Sequence, residues 1–148
     1  MSDLPSRVLF ACTWNAVRSP MAEALMKQLF GSALHIDSVG VRRGAELDGF
    51  VIAVLEEIGI DASRHQTKTF DDLEDDVFDL IITLSPEAQH KAVELTRVMH
   101  CEVEFWHTLD PSIIEGNREA RLIAYRQVRD QLRRRLLERF SAPPRPGG

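Results

Sequence analysis

The chain has 148 residues with 18 Lys and Arg against 23 Asp and Glu, a formal net charge of −5, and 44% hydrophobic residues. That size suits one domain with a real core, and the acidic balance argues against a general nucleic-acid binder. No apolar run approaches the roughly 18 residues that cross a membrane. Residues 1–6 lack the regions of a signal peptide, and two cysteines give no disulfide framework, so a reduced, cytoplasmic setting is expected.

Arg7-Val8-Leu9-Phe10-Ala11 reads as a strand that ends at Cys12. Pro20 suits the first position of a helix, where the missing N–H is not needed. Ser19 is then the expected N-cap, and Gly31 closes the helix after Phe30. Residues 34–39 form a second strand ended by Gly40, with a loop over 41–46. Apolar Phe50, Val51, Val54, Leu55 and Ile58 predict a helix over 47–58, stopped by Gly59. Residues 61–69 form a polar connection. Residues 77–84 are the clearest strand, apolar enough for the inside of a parallel sheet. Ser85-Pro86 repeats the cap-then-proline signal and opens a helix to about Met99. Residues 101–106 make a fourth strand, and a loop with Asp110-Pro111 follows. Asn117 caps a long helix to Phe140, with Ala124, Val128, Leu132 and Leu136 along one stripe. Strands alternating with helices predict an α/β domain over residues 1–140 with a parallel sheet. The Pro- and Gly-rich stretch 141–148 reads as a flexible tail.

The stretch Cys12-Thr13-Trp14-Asn15-Ala16-Val17-Arg18-Ser19 lies between the first strand and the first helix. A helix N-terminus and a loop that aims amides inward make a socket for an oxyanion. An arginine adds a planar charged fork that matches two phosphate oxygens. A thiol at such a site is expected to be acidified, to a pKa of roughly 3.5–7.5, so Cys12 is the candidate nucleophile beneath a bound phosphoryl group. The bland alternative is a buried structural cysteine with Arg18 simply exposed.

The run from Val8 through Cys12, Arg18, Ser19 and Pro20 to Ala24 resembles the signature of the low-molecular-weight protein tyrosine phosphatase family, which also includes thioredoxin-coupled arsenate reductases. The resemblance extends from about Arg7 to the C-terminal helix. It implies a single flavodoxin-like domain, with a four-stranded parallel sheet and helices on both faces. It also implies a phosphocysteine mechanism without metal or cofactor, acting on a phosphotyrosyl protein or a small aryl phosphate. Phosphate, sulfate or arsenate would be ligands of the same site. Thr13, Trp14, Asn15, Ala16, Val17 and Arg18 would then cradle the phosphate. Asn15, Ser38 and His65 would hold the loop in shape through hydrogen bonds, and Ser19 would donate to the Cys12 sulfur.

Asp110 is the candidate general acid, placed to protonate the leaving oxygen. Pro111 would hold it extended. A free aspartate is mostly ionised at neutral pH, so a bell-shaped profile with its peak on the acid side is expected. Three positions depart from the family pattern. Trp14 stands where glycine is usual and is expected to form a rim wall. Val17 replaces the second loop cysteine, which removes a protective disulfide and leaves oxidised Cys12 harder to rescue. Ser112 replaces the aromatic after Asp-Pro, so Trp14, Phe50 or Trp106 would have to supply the missing wall, with Trp106 better suited to the core.

Two rivals stay open. Thr83-Leu84-Ser85 and 104–107 resemble the arsenate reductase branch, yet Ser85 and Ala92 occupy the places of its resolving cysteines. Cys101 begins a strand and reads as core, so arsenate reduction would need an external thiol donor. The other rival is a non-catalytic phosphate or phosphopeptide binder. His90, His100 and His107 lack metal-ligand spacing. Asp71, Asp72, Glu74, Asp75 and Asp76 read as a solvated turn. The arginines of the last helix read as a solvated face, with an anionic partner as the alternative.

Overall fold

A computed structural model describes residues 5–73 and 77–140. The expected tail over 141–148, and Glu74, Asp75 and Asp76 of the acidic run, lie outside the described residues. Strands β1 (Arg7–Cys12), β2 (His35–Gly40), β3 (Leu80–Thr83) and β4 (Glu102–Phe105) form one parallel sheet in the order β2-β1-β3-β4. Strands β1 and β3 are the most completely buried and lie in the middle, as their unbroken apolar sequence requires.

Side chains alternate across the sheet. Val8, Phe10 and Cys12 face one layer, and Leu9 and Ala11 face the other. The first layer holds α1 (Arg18–Phe30), α2 (Gly49–Glu56) and α4 (Arg118–Phe140), which contribute Met21, Leu25, Val54, Leu132 and Leu136. The second layer holds α3 (Pro86–Leu95), which packs Ala88 and Ala92 against Phe78 and Ile81. The architecture is the predicted α/β sheet covered on both faces, and its strand order is the start of the flavodoxin-like winding. No helix among the described residues is long and apolar enough to cross a membrane.

Several boundaries move for local reasons. Strand β3 starts at Leu80 rather than Val77, because the Asp79 carboxylate turns aside to accept from the backbone N–H groups of Ser6 and Arg7, at 2.8 and 2.9 Å. Helix α2 starts at Gly49, where the Asp48 side chain caps it by accepting from Phe50 N at 2.8 Å. Helix α3 stops at Leu95 and passes into a 3₁₀ turn over Thr96–Val98. Ser85 and Asn117 are caps as expected, accepting from Ala88 N and Ala120 N. Ser19 is not a cap. Helix α1 begins two residues earlier than expected, at Arg18, with Val17 in the capping position and no side-chain cap bond.

The solvated-face expectation for α4 fails at one arginine. Arg129 is only 8% exposed. Its Nη1 donates to Val54 O and to Glu57 Oε1, both at 2.8 Å, and its Nε donates to Asp130 at 2.9 Å. A buried guanidinium persists only when paired in this way.

Candidate active site

At the carboxyl ends of β1 and β3 the chain leaves in opposite directions, towards β2 and towards β4. Such a switch point leaves a crevice, and the loop from Cys12 to Arg18 fills it. The carbonyls of Cys12, Thr13, Trp14 and Ala16 accept from the N–H groups of Val41, Arg42, Gly44 and Asp48 at 2.8–3.0 Å. A trans peptide points its N–H opposite to its C=O. The amides of Thr13, Trp14, Asn15 and Val17 therefore turn away from the 41–48 segment. Asn15 adopts φ 57°, the left-handed conformation that asparagine tolerates. Gly40 lets the loop come close: a Cβ there would lie 2.6 Å from Trp14 C and 2.7 Å from Asn15 N.

Asn15 is wholly buried, and both ends of its amide are used. Its Nδ2 donates to Ser19 Oγ at 2.9 Å and to Ser38 Oγ at 3.0 Å. Its Oδ1 accepts from Lys68 N and faces His65 Nε2, each at 3.0 Å. Ser38 Oγ donates onward to Glu23 Oε1 at 2.5 Å. Burial holds His65 below the ordinary imidazole range, and the Glu23 carboxylate, 3.9 Å from Nδ1, offsets this only partly. A neutral ring with its proton on Nε2 fits the Asn15 acceptor. The three residues expected to brace the loop are thus brought together. Glu23 and the Lys68 amide complete the set without having been foreseen; Glu23 lies one helical turn beyond Ser19, and that spacing was the available signal.

The Cys12 sulfur is buried, 2.9 Å from Ser19 Oγ and 3.4 Å from Ser19 N. Ser19 Oγ also lies 3.2 Å from Val39 O, so its single proton has two acceptors in reach. Arg18 is buried rather than exposed. Its Nη1 donates to Thr108 O at 3.0 Å, and its Nη2 lies 3.9 Å from Asp110 Oδ2. The other carboxylate oxygen of Asp110 accepts from Ser112 N at 2.9 Å and from Ser112 Oγ at 2.7 Å. Ser112 therefore holds the Asp110 carboxylate in place without supplying an aromatic wall. Thr13 Oγ1 donates to Ser85 Oγ at 3.1 Å and fastens the loop to the start of α3.

Cys12, Trp14, Arg18, Asp48, Asp110 and Ser112 line one cavity of about 330 Å³. Trp14 is a half-exposed aromatic lining this cavity, with the Arg42 guanidinium 5.7 Å from its ring. Trp106 is buried, and Phe50 stacks on Tyr125 at 5.0 Å. Asp48 is a further lining residue that the sequence did not single out. Tyr125 Oη donates to Asp48 Oδ2 at 2.7 Å, and burial together with that bond raises the phenol well above its usual range. A larger cleft of about 610 Å³ reaches Glu23 and His65 from outside but is lined by no thiol or hydroxyl side chain. Cys101, expected in the core, is half-buried at the opposite end of the sheet.

Residues 7–141 match the family model described as low molecular weight phosphotyrosine protein phosphatase. The arsenate reductase of Bacillus subtilis (strain 168) is 31% identical over 134 residues, which cover 88% of this chain and 92% of that protein. The arsenate reductase of Staphylococcus aureus is 28% identical over 129 residues, or 85% of this chain and 89% of that one. A solved arsenate reductase in the phosphate binding state has 26% identity and a TM-score of 0.70, covering 92% of this chain and 97% of its own. The tyrosine phosphatase amsI of Erwinia amylovora shares the fold at a TM-score of 0.77 and 20% identity, with 96% of this chain and 95% of that one covered. With the match spanning both the Cys12 loop and Asp110, the chain belongs to the low molecular weight phosphotyrosine protein phosphatase family.

Proposed function

We propose that this protein hydrolyses phosphate monoesters, phosphotyrosyl or small aryl phosphates, through a phosphocysteine on Cys12. The observation that carries this reading is the convergence of the Cys12 sulfur, the Arg18 guanidinium and the Asp110 carboxylate on one cavity. The ionised sulfur attacks phosphorus and forms the S–P bond as the ester P–O bond breaks. Asp110 gives its proton to the leaving oxygen. Arg18 and the amides of residues 13–17 hold the equatorial oxygens. Water then attacks the phosphocysteine and gives a proton to the Asp110 carboxylate, and the S–P bond breaks to return the sulfur anion. Ser19, 2.9 Å from that sulfur, stabilises the departing charge. The first step needs an ionised sulfur and a protonated Asp110, so activity should follow a bell-shaped pH profile. The unpaired thiols fit a reduced, cytoplasmic setting.

Arsenate reduction is the second reading, and the curated relatives named arsenate reductases favour it. Arsenate suits the same socket, but taking arsenic(V) to arsenic(III) needs two electrons, which two thiols supply as they form a disulfide. Cys12 can be one of them. Cys101 is the only other described cysteine and lies at the far end of the sheet, so the second must come from an external thiol. A phosphate or phosphopeptide binder without turnover is the remaining alternative.

The deciding experiment measures phosphate release from p-nitrophenyl phosphate and a phosphotyrosine peptide, with Cys12→Ser as control. Arsenite formation with added thiol is followed in the same preparation. Release, with phosphate found on Cys12 after quenching, supports the hydrolase. Arsenite without phosphate release supports the reductase, and oxyanion binding without either supports the binder.

A further inference from the structure

We propose that Arg118 and Arg121 form a second anion subsite beside the catalytic cavity, and that the substrate it selects is an acidic phosphopeptide. This rests on the phosphomonoester reading of the Cys12 site. The flanking group held there is a carboxylate or a second phosphate, whose shared chemistry is a compact oxyanion recognised by guanidinium.

Several arginines around the molecule have an acidic partner. On α4, Arg126 pairs with Glu57 and Glu119, Arg129 with Glu57 and Asp130, and Arg139 with Glu104. At the cavity mouth Arg42 pairs with Glu87, and Arg43 with Asp72. Among the described residues Arg118 and Arg121 have no carboxylate within ion-pair distance, as is also true of Arg133, Arg134 and Arg135 on α4, but these two are set apart by a shared neighbour. Both guanidinium groups instead approach one ring, Phe50, at 5.4 and 4.6 Å from its centroid. The Arg121 Nε is buried without an acceptor. Two like charges held on one ring with a donor unused form a site whose missing component is an anion.

Its place in the fold links it to the chemistry. Phe50 follows two residues after Asp48, which lines the Cys12 cavity. Tyr125, one helical turn beyond Arg121, stacks on the same Phe50 ring and hydrogen-bonds Asp48. The turn that follows Asp110, Pro111–Ile113, packs against α4. The pair therefore stands where α2 and α4 begin at the rim. The cavity of about 330 Å³ suits an aryl phosphate, so an anion reaching Phe50 belongs to a residue next to the phosphotyrosine. On a chain of net charge −5, a local pair of unneutralised arginines is also what would draw an acidic peptide inward.

The test compares wild type, Arg118→Gln/Arg121→Gln and Arg118→Lys/Arg121→Lys on four substrates. These are p-nitrophenyl phosphate and phosphotyrosine peptides flanked by glutamates, by phosphoserine or by neutral residues. The glutamine pair is expected to raise KM on both acidic peptides about tenfold, with kcat, p-nitrophenyl phosphate and the neutral peptide within about twofold, and to flatten the salt dependence. The lysine pair should recover part of that loss. A gain confined to one acidic peptide identifies which anion the subsite takes. No wild-type preference for acidic over neutral peptide, or an equal loss on all four substrates, overturns the proposal. Peptide binding to Cys12→Ser, titrated by fluorescence anisotropy, reads the subsite without turnover. A protein that hydrolyses no ester yet binds acidic peptide through these arginines keeps the subsite and discards the hydrolase.

Discussion

The two cysteines sit at opposite ends of the same parallel sheet, and their surroundings differ in sign. Cys12 closes β1 at the carboxyl end, where the chain turns into a helix and Ser19 presents a hydroxyl and an amide to the sulfur. Cys101 precedes β4 at the amino end, roughly 16 Å away along the sheet at about 3.3 Å per residue. Its neighbours are the carboxylates of Asp79 and Glu102, and burial, aided by those charges, pushes its thiol above the ordinary cysteine range. The same residue type thus meets hydrogen-bond donors at one end and carboxylates at the other. Strand direction makes the difference: the carboxyl ends feed helix N-termini and their free amides, and the amino ends receive helix C-termini.

The largest effect should come from exchanging the sulfurs one at a time. Cys12→Ser is expected to lower kcat on phenyl phosphate by at least about a thousandfold, and Cys101→Ser to leave it within about twofold; comparable losses would erase the contrast. Next, Asp110→Asn should cost about a hundredfold or more on phenyl phosphate and much less on p-nitrophenyl phosphate, whose leaving group needs little protonation. Equal losses on both esters would remove Asp110 from the acid role.

Asn15→Ala takes the acceptor away from the Lys68 amide and from His65 Nε2 inside the protein. Unfolding in urea should show a loss of about 2–3 kcal/mol, together with reduced turnover. Alkylation sharpens the comparison at a smaller scale: iodoacetamide at neutral pH should mark Cys12 first, with phosphate protecting it, and Cys101 only as the pH rises past the usual thiol range. A protein labelled first at Cys101 would contradict the assignment.

The smallest effect belongs to His65. Its folded-state pKa lies below the unfolded one, so the native protein takes up that proton less readily than the unfolded chain. The stability contributed by the neutral ring is whole above the ordinary imidazole range and is lost as pH falls through that range and below. His65→Gln should flatten that acid limb of a urea-midpoint series; an unchanged limb would place its origin elsewhere.

Much of this was legible in the sequence because it is local. The apolar run before Cys12, the Ser85-Pro86 and Asn117 caps, and the stripe through Leu132 and Leu136 each follow from spacing along a single element. The Asn15, Ser38 and His65 set came from family resemblance, since nothing in their spacing brings residues so far apart together. Ser19 carried two expectations: a serine before a proline suits a cap, which the helix does not use, whereas the bond to the Cys12 sulfur implied by the resemblance is within reach in the folded loop. Asp48, Tyr125 and Arg129 escaped notice for a physical reason. Periodicity tells which face of a helix is covered, and not which partner covers it, so the Tyr125–Asp48 bond and the burial of Arg129 against Val54 have no one-dimensional trace.

The hydrogen bonds that fasten the Cys12 loop to the 41–48 segment run between main-chain atoms. Several side chains along that segment can consequently be exchanged without loosening the grip on the Cys12 loop, provided the backbone path, Gly40, Gly44 and Asp48 are kept. A descendant of this protein could recut the outer wall of the cavity while the Cys12 loop keeps its path, which makes Arg42, Arg43 and Ala45 the natural place to begin a redesign of ligand selectivity.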